Sequence, residues 1–314
     1  MNHSGPQALL FNTIRPNPMT EFSHSLSRQR VVFGMLLAGF LALSVHSFML
    51  ETLNLPYPDK FPRFGPHAFV NSACITLGLV YLHNLWFRGK TKTWPIRFIT
   101  LFLTYTMLRE ILFRLPIMDG VCTTAWVFSV LENIWRLVNA FILCALVVLF
   151  SPRLTTLPRK ILASLILAAI VSFLTEPAVD RLSSNMLDHF SSLSHADVYT
   201  VPYGWNVQIP AYLTFVEPAI ACFVIIYNVW NKLSSRPWIR SLQFIVLIMA
   251  IRGVLLSPFI NVFYAGRPPL TAIASTGQFS LEGLTLAALT VATFIWARQR
   301  APLIKADATH LQTK

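Results

Sequence analysis

Between Trp126 and Phe150 the chain reads WVFSVLENIWRLVNAFILCALVVLF, and no other stretch limits its fold as strongly. Twenty-five residues at about 1.5 Å each are enough to cross a hydrocarbon core of about 30 Å as one helix. The stretch is not uniformly apolar. Ser129, Glu132, Arg136 and Asn139 recur at steps of three, four and three, so they share one helical face. A glutamate and an arginine inside a bilayer are costly unless they face protein or water, so that face is expected to look inward.

The rest of the composition agrees. Of 314 residues 54% are hydrophobic and 12% charged, against roughly 25% charged in soluble domains, and the mean hydropathy is +0.57. The expected fold is an all-α, polytopic membrane helix bundle.

A formal charge of +12 raises the question of nucleic acid. Position answers it. Seventeen of the 25 basic residues fall in five segments: the N-terminal tail, 88–97, 153–160, 232–240 and the tail from Arg298. The segments between them hold Lys60, Arg63, Arg181 and Arg267. This alternation is the bias that keeps basic loops cytoplasmic, so the charge reads as topology and no nucleic-acid partner is expected. Membrane lipids are.

Taken in order, residues 1–30 are expected to be a flexible cytoplasmic tail and 31–297 an eight-helix transmembrane domain, with a basic cytoplasmic tail at 298–314. The spans are 31–50, 68–87, 96–115, 126–150, 161–175, 211–230, 242–264 and 279–297, with both termini cytoplasmic. In the longest outer segment, 177–210, Val179, Leu182, Met186, Phe190 and Leu193 step by three and four, the pattern of an amphipathic helix on the membrane or capping the bundle. The outer loops hold no N-x-S/T acceptor, which fits a bacterial inner membrane. Short echoes, SFLTEPAV and LTFVEPAI, join neighbouring spans rather than two halves.

This topology gathers the acids. Glu51, Glu110, Glu132, Glu176, Glu217 and Glu282 come from six spans and are expected near one depth toward the outer side, facing Arg109, Arg114, Arg136 and Arg252. The expected site is a polar cavity lined by those six glutamates with Arg114, Arg136, Asn139 and Arg252. Glu110 with Arg114, and Glu132 with Arg136, have the i,i+4 spacing of ion pairs that tie a helix together. Glu176 and Glu217 are each followed by proline, which frees a carbonyl one turn back, and broken helices in membranes commonly line cavities.

Other chemistry is sparse. Cys74, Cys122, Cys144 and Cys222 have no C-x-x-C spacing and read as buried apolar groups, with Cys74 and Cys122 the one pair placed for a disulfide. His189 and His195 with Asp188 and Asp197 match no closed metal site. No cofactor fingerprint or nucleophile motif is present, so neither metal nor cofactor is expected. Three functions remain open: a proton-coupled or anionic-solute carrier, an enzyme acting on a lipid or lipid-linked substrate at the outer leaflet, and an accessory subunit whose ion pairs serve packing.

Overall fold

The computed structural model describes residues 26–58, 65–87, 92–194 and 201–298, and among these the chain is helical with no β-strand. The helices are α1 (Arg28–Ser47), α2 (Pro66–Phe87), α3 (Trp94–Leu108), α4 (Arg114–Val121), α5 (Trp126–Phe150), α6 (Leu157–Ile170), α7 (Glu176–Asp188), α8 (Trp205–Thr214), α9 (Val216–Val229), α10 (Pro237–Arg252), α11 (Ser257–Asn261) and α12 (Pro269–Arg298). Proline in the first turn starts α3, α6 and α10, where its missing N–H has no helical partner to lose. Most of the tails expected at 1–30 and 298–314, and residues 59–64 between the first two expected spans, lie outside the described residues.

Among the described residues six helical segments are long and apolar enough to cross a membrane: Arg28–Thr52, Pro66–Phe87, Trp126–Arg153, Leu157–Asp188, Trp205–Lys232 and Pro269–Arg298. The third and seventh spans read from sequence are shorter than expected. α3 and α10 run 15 and 16 residues and stop, the first at an irregular stretch 109–113, the second at Gly253. Gly253 ends α10 in the left-handed region at φ 72, a common helix stop.

The fifth span differs in the other direction. It does not end at Thr175: π-helical residues Val171–Thr175 carry α6 into α7 with no irregular residue between, so the amphipathic helix continues the span instead of lying in a separate loop. Beyond it, the Thr124 N–H donates to the Leu193 carbonyl at 2.8 Å, fastening the end of this segment to the turn before α5. The sixth span begins earlier than expected, at Trp205, and is interrupted at Phe215 between α8 and α9.

Packing puts the small residues inside. α1 lies along α12, where buried Gly34, Ala38 and Ala42 let the backbones approach; a Cβ on Gly34 would come within 2.1 Å of the Thr293 side chain. The start of α1 meets the end of α12, with the Ser27 N–H on the Ala297 carbonyl and the Arg30 guanidinium over the Trp296 ring. α9 packs against α1, α3 and α12. The outside is apolar: Phe33 is 60% and Phe40 55% exposed, with Phe141, Leu162 and Phe173 alike exposed. Glu217, Arg252 and Glu282 are buried. Charge inside and aromatic side chains outside invert the order of a water-soluble protein. The chain is an integral membrane protein by length, composition and this inversion.

All four cysteines are free, so the Cys74–Cys122 disulfide does not form.

Candidate functional site

Counting along the helices at about 1.5 Å per residue puts the inner charges at one height. Glu110 lies about 24 Å beyond Trp94, Arg252 about 22 Å beyond Pro237, Glu217 about 22 Å before Lys232 and Glu282 about 24 Å before Arg298. The starts of α3 and α10 and the ends of α9 and α12 share one end of the bundle. There the Arg298 guanidinium reaches Asn231, and the Arg240 guanidinium stacks over Trp230.

At that height the irregular stretch after α3 meets the stop of α10. One nitrogen of Arg252, Nη2, donates to Glu110 and to Glu282, each at 2.6 Å. Glu110 also accepts from Arg114 Nε at 2.7 Å, so the i,i+4 pair expected from sequence forms and joins a longer chain of charges. The Arg114 Nη1 donates to the Ala211 carbonyl at 2.6 Å, and its guanidinium sits 4.9 Å from the Phe215 ring centroid. Glu110 itself takes φ 64, a left-handed value unusual outside glycine. That turn aims three consecutive N–H groups, of Leu112, Phe113 and Arg114, at the carboxylate of Glu217.

These contacts explain why an arginine can sit at the end of α10 with no acid in its own helix. The acids come from α12 and from the break after α3. Three glutamates, Glu110, Glu217 and Glu282, stand with two arginines, Arg114 and Arg252, and Arg109 is bonded to the Arg252 main-chain carbonyl beside them. A buried, paired and hydrogen-bonded set like this is costly to disrupt by removing one member.

Glu132, Arg136, Asn139 and Glu176 belong elsewhere. They line a cavity of about 690 Å³ between α5 and α7, within the usual range of small-molecule sites. Arg136 is 40% exposed along its side chain and holds Glu132 and Asp119, each at 3.3 Å. Asn133 Nδ2 donates to Asp119 at 2.8 Å. Burial pushes the Asp119 carboxyl above its usual range, with Arg136 and Asn133 opposing. Facing α5 across the cavity are Glu176, Asp180, Ser184 and Asp188 of α7. Three lining residues carry buried polar atoms without a hydrogen-bond partner: Arg109 Nε, Trp135 Nε1 and Asn139 Oδ1.

Comparison with protein-family models, with curated proteins and with solved structures finds no match. What the chain can do has to be read from the site alone.

In place of one pocket holding six glutamates, the residues singled out from sequence divide three ways. Glu110, Arg114, Glu217, Arg252 and Glu282 form the buried cluster; Glu132, Arg136, Asn139 and Glu176 line the cavity. Glu51 stands apart in the π-helical turn Phe48–Thr52, accepting the Tyr203 N–H at 3.4 Å. Burial, with Tyr57 and Glu51 adding, pushes the Tyr203 phenol up. Arg109 connects the two larger sets, because it lines the cavity while its Nη1 donates to the Arg252 carbonyl.

Sequence reasoning missed Asp119 and Asp180 as site residues. The signal for the second was present: Glu176, Asp180, Ser184 and Asp188 step by four, an acidic face opposite the apolar stripe. Asp119 left no such trace. Of the histidine and aspartate positions considered for a metal, His195 and Asp197 lie outside the described residues, and among the described residues no group of three suitable ligands gathers.

Proposed function

We propose that this chain is a carrier for a small solute bearing positive charge, coupled to protons, with the cavity between α5 and α7 as its binding site. The observation that carries this reading is the cavity's charge. Glu132, Glu176, Asp180 and Asp188 line it against Arg109 and Arg136, an excess of two acids. An anionic solute, one of the expectations from sequence, would meet that excess unfavourably, while a cation or a zwitterion would not.

Two further features support a carrier. Helices that stop within the bilayer and expose main-chain groups toward a polar centre recur in transporters, where one body moves against another. The breaks after α3 and α10 have this form and meet at Arg109. Glu176 sits where the π-helical turn passes into α7 and is followed by Pro177, and π turns often mark functional positions. In this reading α3 and α10 also cross the membrane, giving eight spans, with the basic end and both termini on the cytoplasmic side of a cell inner membrane. The Arg252 cluster fixes the pivot, and Glu176 takes and releases the proton.

The test is uptake into proteoliposomes with an imposed pH gradient, using polyamines, basic amino acids and quaternary ammonium compounds as probes. At least one probe should accumulate with the gradient, and Glu176→Gln should abolish the pH dependence while keeping the wild-type melting temperature. If none of the panel moves or stabilises the folded wild type, the carrier reading is wrong.

A further inference from the structure

A second cavity, of about 570 Å³, lies at the basic end of the bundle, between the end of α2, the start of α3, the connection from α5 to α6 and the end of α9. Its charged lining is Arg97, Lys160 and Lys232, and among the described residues no carboxylate joins them. Three cations around one space repel each other, so the space favours an anion.

The cations are held in place. Lys232 Nζ donates to the carbonyls of Leu85 at 2.7 Å and Trp86 at 3.1 Å, anchored on the last turn of α2. Arg97 Nε donates to the Lys92 carbonyl at 2.8 Å. Lys160 Nζ stands 5.8 Å from the Tyr81 ring centroid.

A second, independent observation concerns the wall. His83 is 2% exposed, and neither ring nitrogen has a hydrogen-bond partner. Neighbouring Asn84 Nδ2 is also buried without one. Two adjacent donors left unmatched in the lining of a cationic cavity are what a bound oxyanion would satisfy, since buried polar groups seldom stay unpaired. Tyr81, Phe87 and Leu154 add apolar surface beside them.

We propose that this pocket binds a phosphate group, with His83 and Asn84 donating to its oxygens and Arg97, Lys160 and Lys232 balancing its charge. The same chemistry belongs to the headgroup of an anionic phospholipid and to free phosphate, and the two sources are separable. Charge-assisted bonds to phosphate from lysine and arginine are strong where water is partly excluded.

Full-length protein would be placed in nanodiscs of phosphatidylcholine alone, whose phosphate is neutralised by its own choline, of phosphatidylcholine with anionic phosphatidylglycerol, and of phosphatidylcholine with added inorganic phosphate. Melting temperature and native mass spectrometry would be read on each. A rise and retained mass with phosphatidylglycerol identify a lipid headgroup; a rise with inorganic phosphate identifies the free ion; either supports the site. In the supporting arm Lys160→Gln should weaken binding roughly tenfold. His83→Phe should do the same, while Arg236→Gln, a charge at the same end but outside the pocket, should not. No response to either phosphate source, or equal binding by wild type, Lys160→Gln and His83→Phe, would overturn the proposal.

Discussion

Arg109 donates through Nη1 to the main-chain carbonyl of Arg252, the last residue of α10. The carbonyl is available because the helix stops there. With Gly253 at φ 72 the chain turns away, and the guanidinium takes the place of the next helical turn. A side chain fits badly at that glycine, since a Cβ would stand 2.9 Å from Arg109 Nη1 and 3.1 Å from Asn71.

Gly253→Ala is therefore expected to destabilise the protein by about 1–2 kcal/mol from the left-handed backbone alone, and by more if Arg109 is displaced. Thermal unfolding in detergent, beside Gly277→Ala as a control, measures it. The control lies in α12, and its Cβ would meet nothing within 4 Å.

Arg252 bonds both Glu110 and Glu282. Arg252→Met leaves Glu282 buried without its cation and Glu110 with Arg114 alone, so the loss should be about 3–5 kcal/mol, or failure to assemble. Pairing it with Glu282→Gln removes one of those charges and should recover part of the loss. A double variant no more stable than the single would show that the pair is not coupled as the distances imply.

Much of this architecture could be read in the amino-acid order, and the part that could not has physical causes. Long apolar runs mark the six helices because a bilayer demands uninterrupted helical hydrogen bonding. The inward stripe of α5 was legible from Glu132, Arg136 and Asn139, because helical period alone aligns them. The stop at Gly253 was half visible, as a glycine just past an apolar helical run is a helix-ending signal. The break after α3 was not, because residues 109–113 contain neither glycine nor proline; the three N–H groups gathered by Glu217 hold it open. Such a break is dictated by a residue a hundred positions away. The separation of the charges into a cluster and a cavity is likewise set by which helices touch, which no local pattern records.

The carboxylate of Glu217 holds that break, so removing it should be felt first at the backbone it serves. Glu217→Ala should lose about 2–4 kcal/mol, as buried N–H groups are left without acceptors. Hydrogen–deuterium exchange should show a selective gain at Leu112, Phe113 and Arg114. Glu217→Gln keeps one acceptor oxygen and should fall between the two. Uniform exchange across α3 and α4 in the alanine variant would contradict a local capping role.

Asp119 supplies a pH dependence outside the long spans. Its carboxyl is held above the usual range by burial, so the folded state binds its proton more tightly than the unfolded state does. The stabilisation from this group is complete below the ordinary aspartate value near ~4 and is lost as pH rises through the raised one. Asp119→Asn removes the titration, so the difference in melting temperature between wild type and variant should shift toward the variant as pH is raised from about 4. A constant difference over that range would mean that Arg136 and Asn133 compensate the burial in full.

In the proposed carrier, Arg109 decides whether the cluster and the cavity work together. Lysine at this position keeps the charge but not the planar fork, so one ammonium would have to serve both the Arg252 carbonyl and the cavity wall. Arg109→Lys should therefore cost little stability, about 1 kcal/mol for a weakened hydrogen bond, yet reduce solute uptake at least tenfold. Asp180→Asn provides the contrast: it lowers the acid excess of the cavity without touching α10, so it should weaken solute affinity and leave the maximal rate near that of the wild type. If Arg109→Lys instead changed affinity alone, as Asp180→Asn is expected to, Arg109 would be only a wall of the cavity, and the contact with Arg252 would carry no motion between the two.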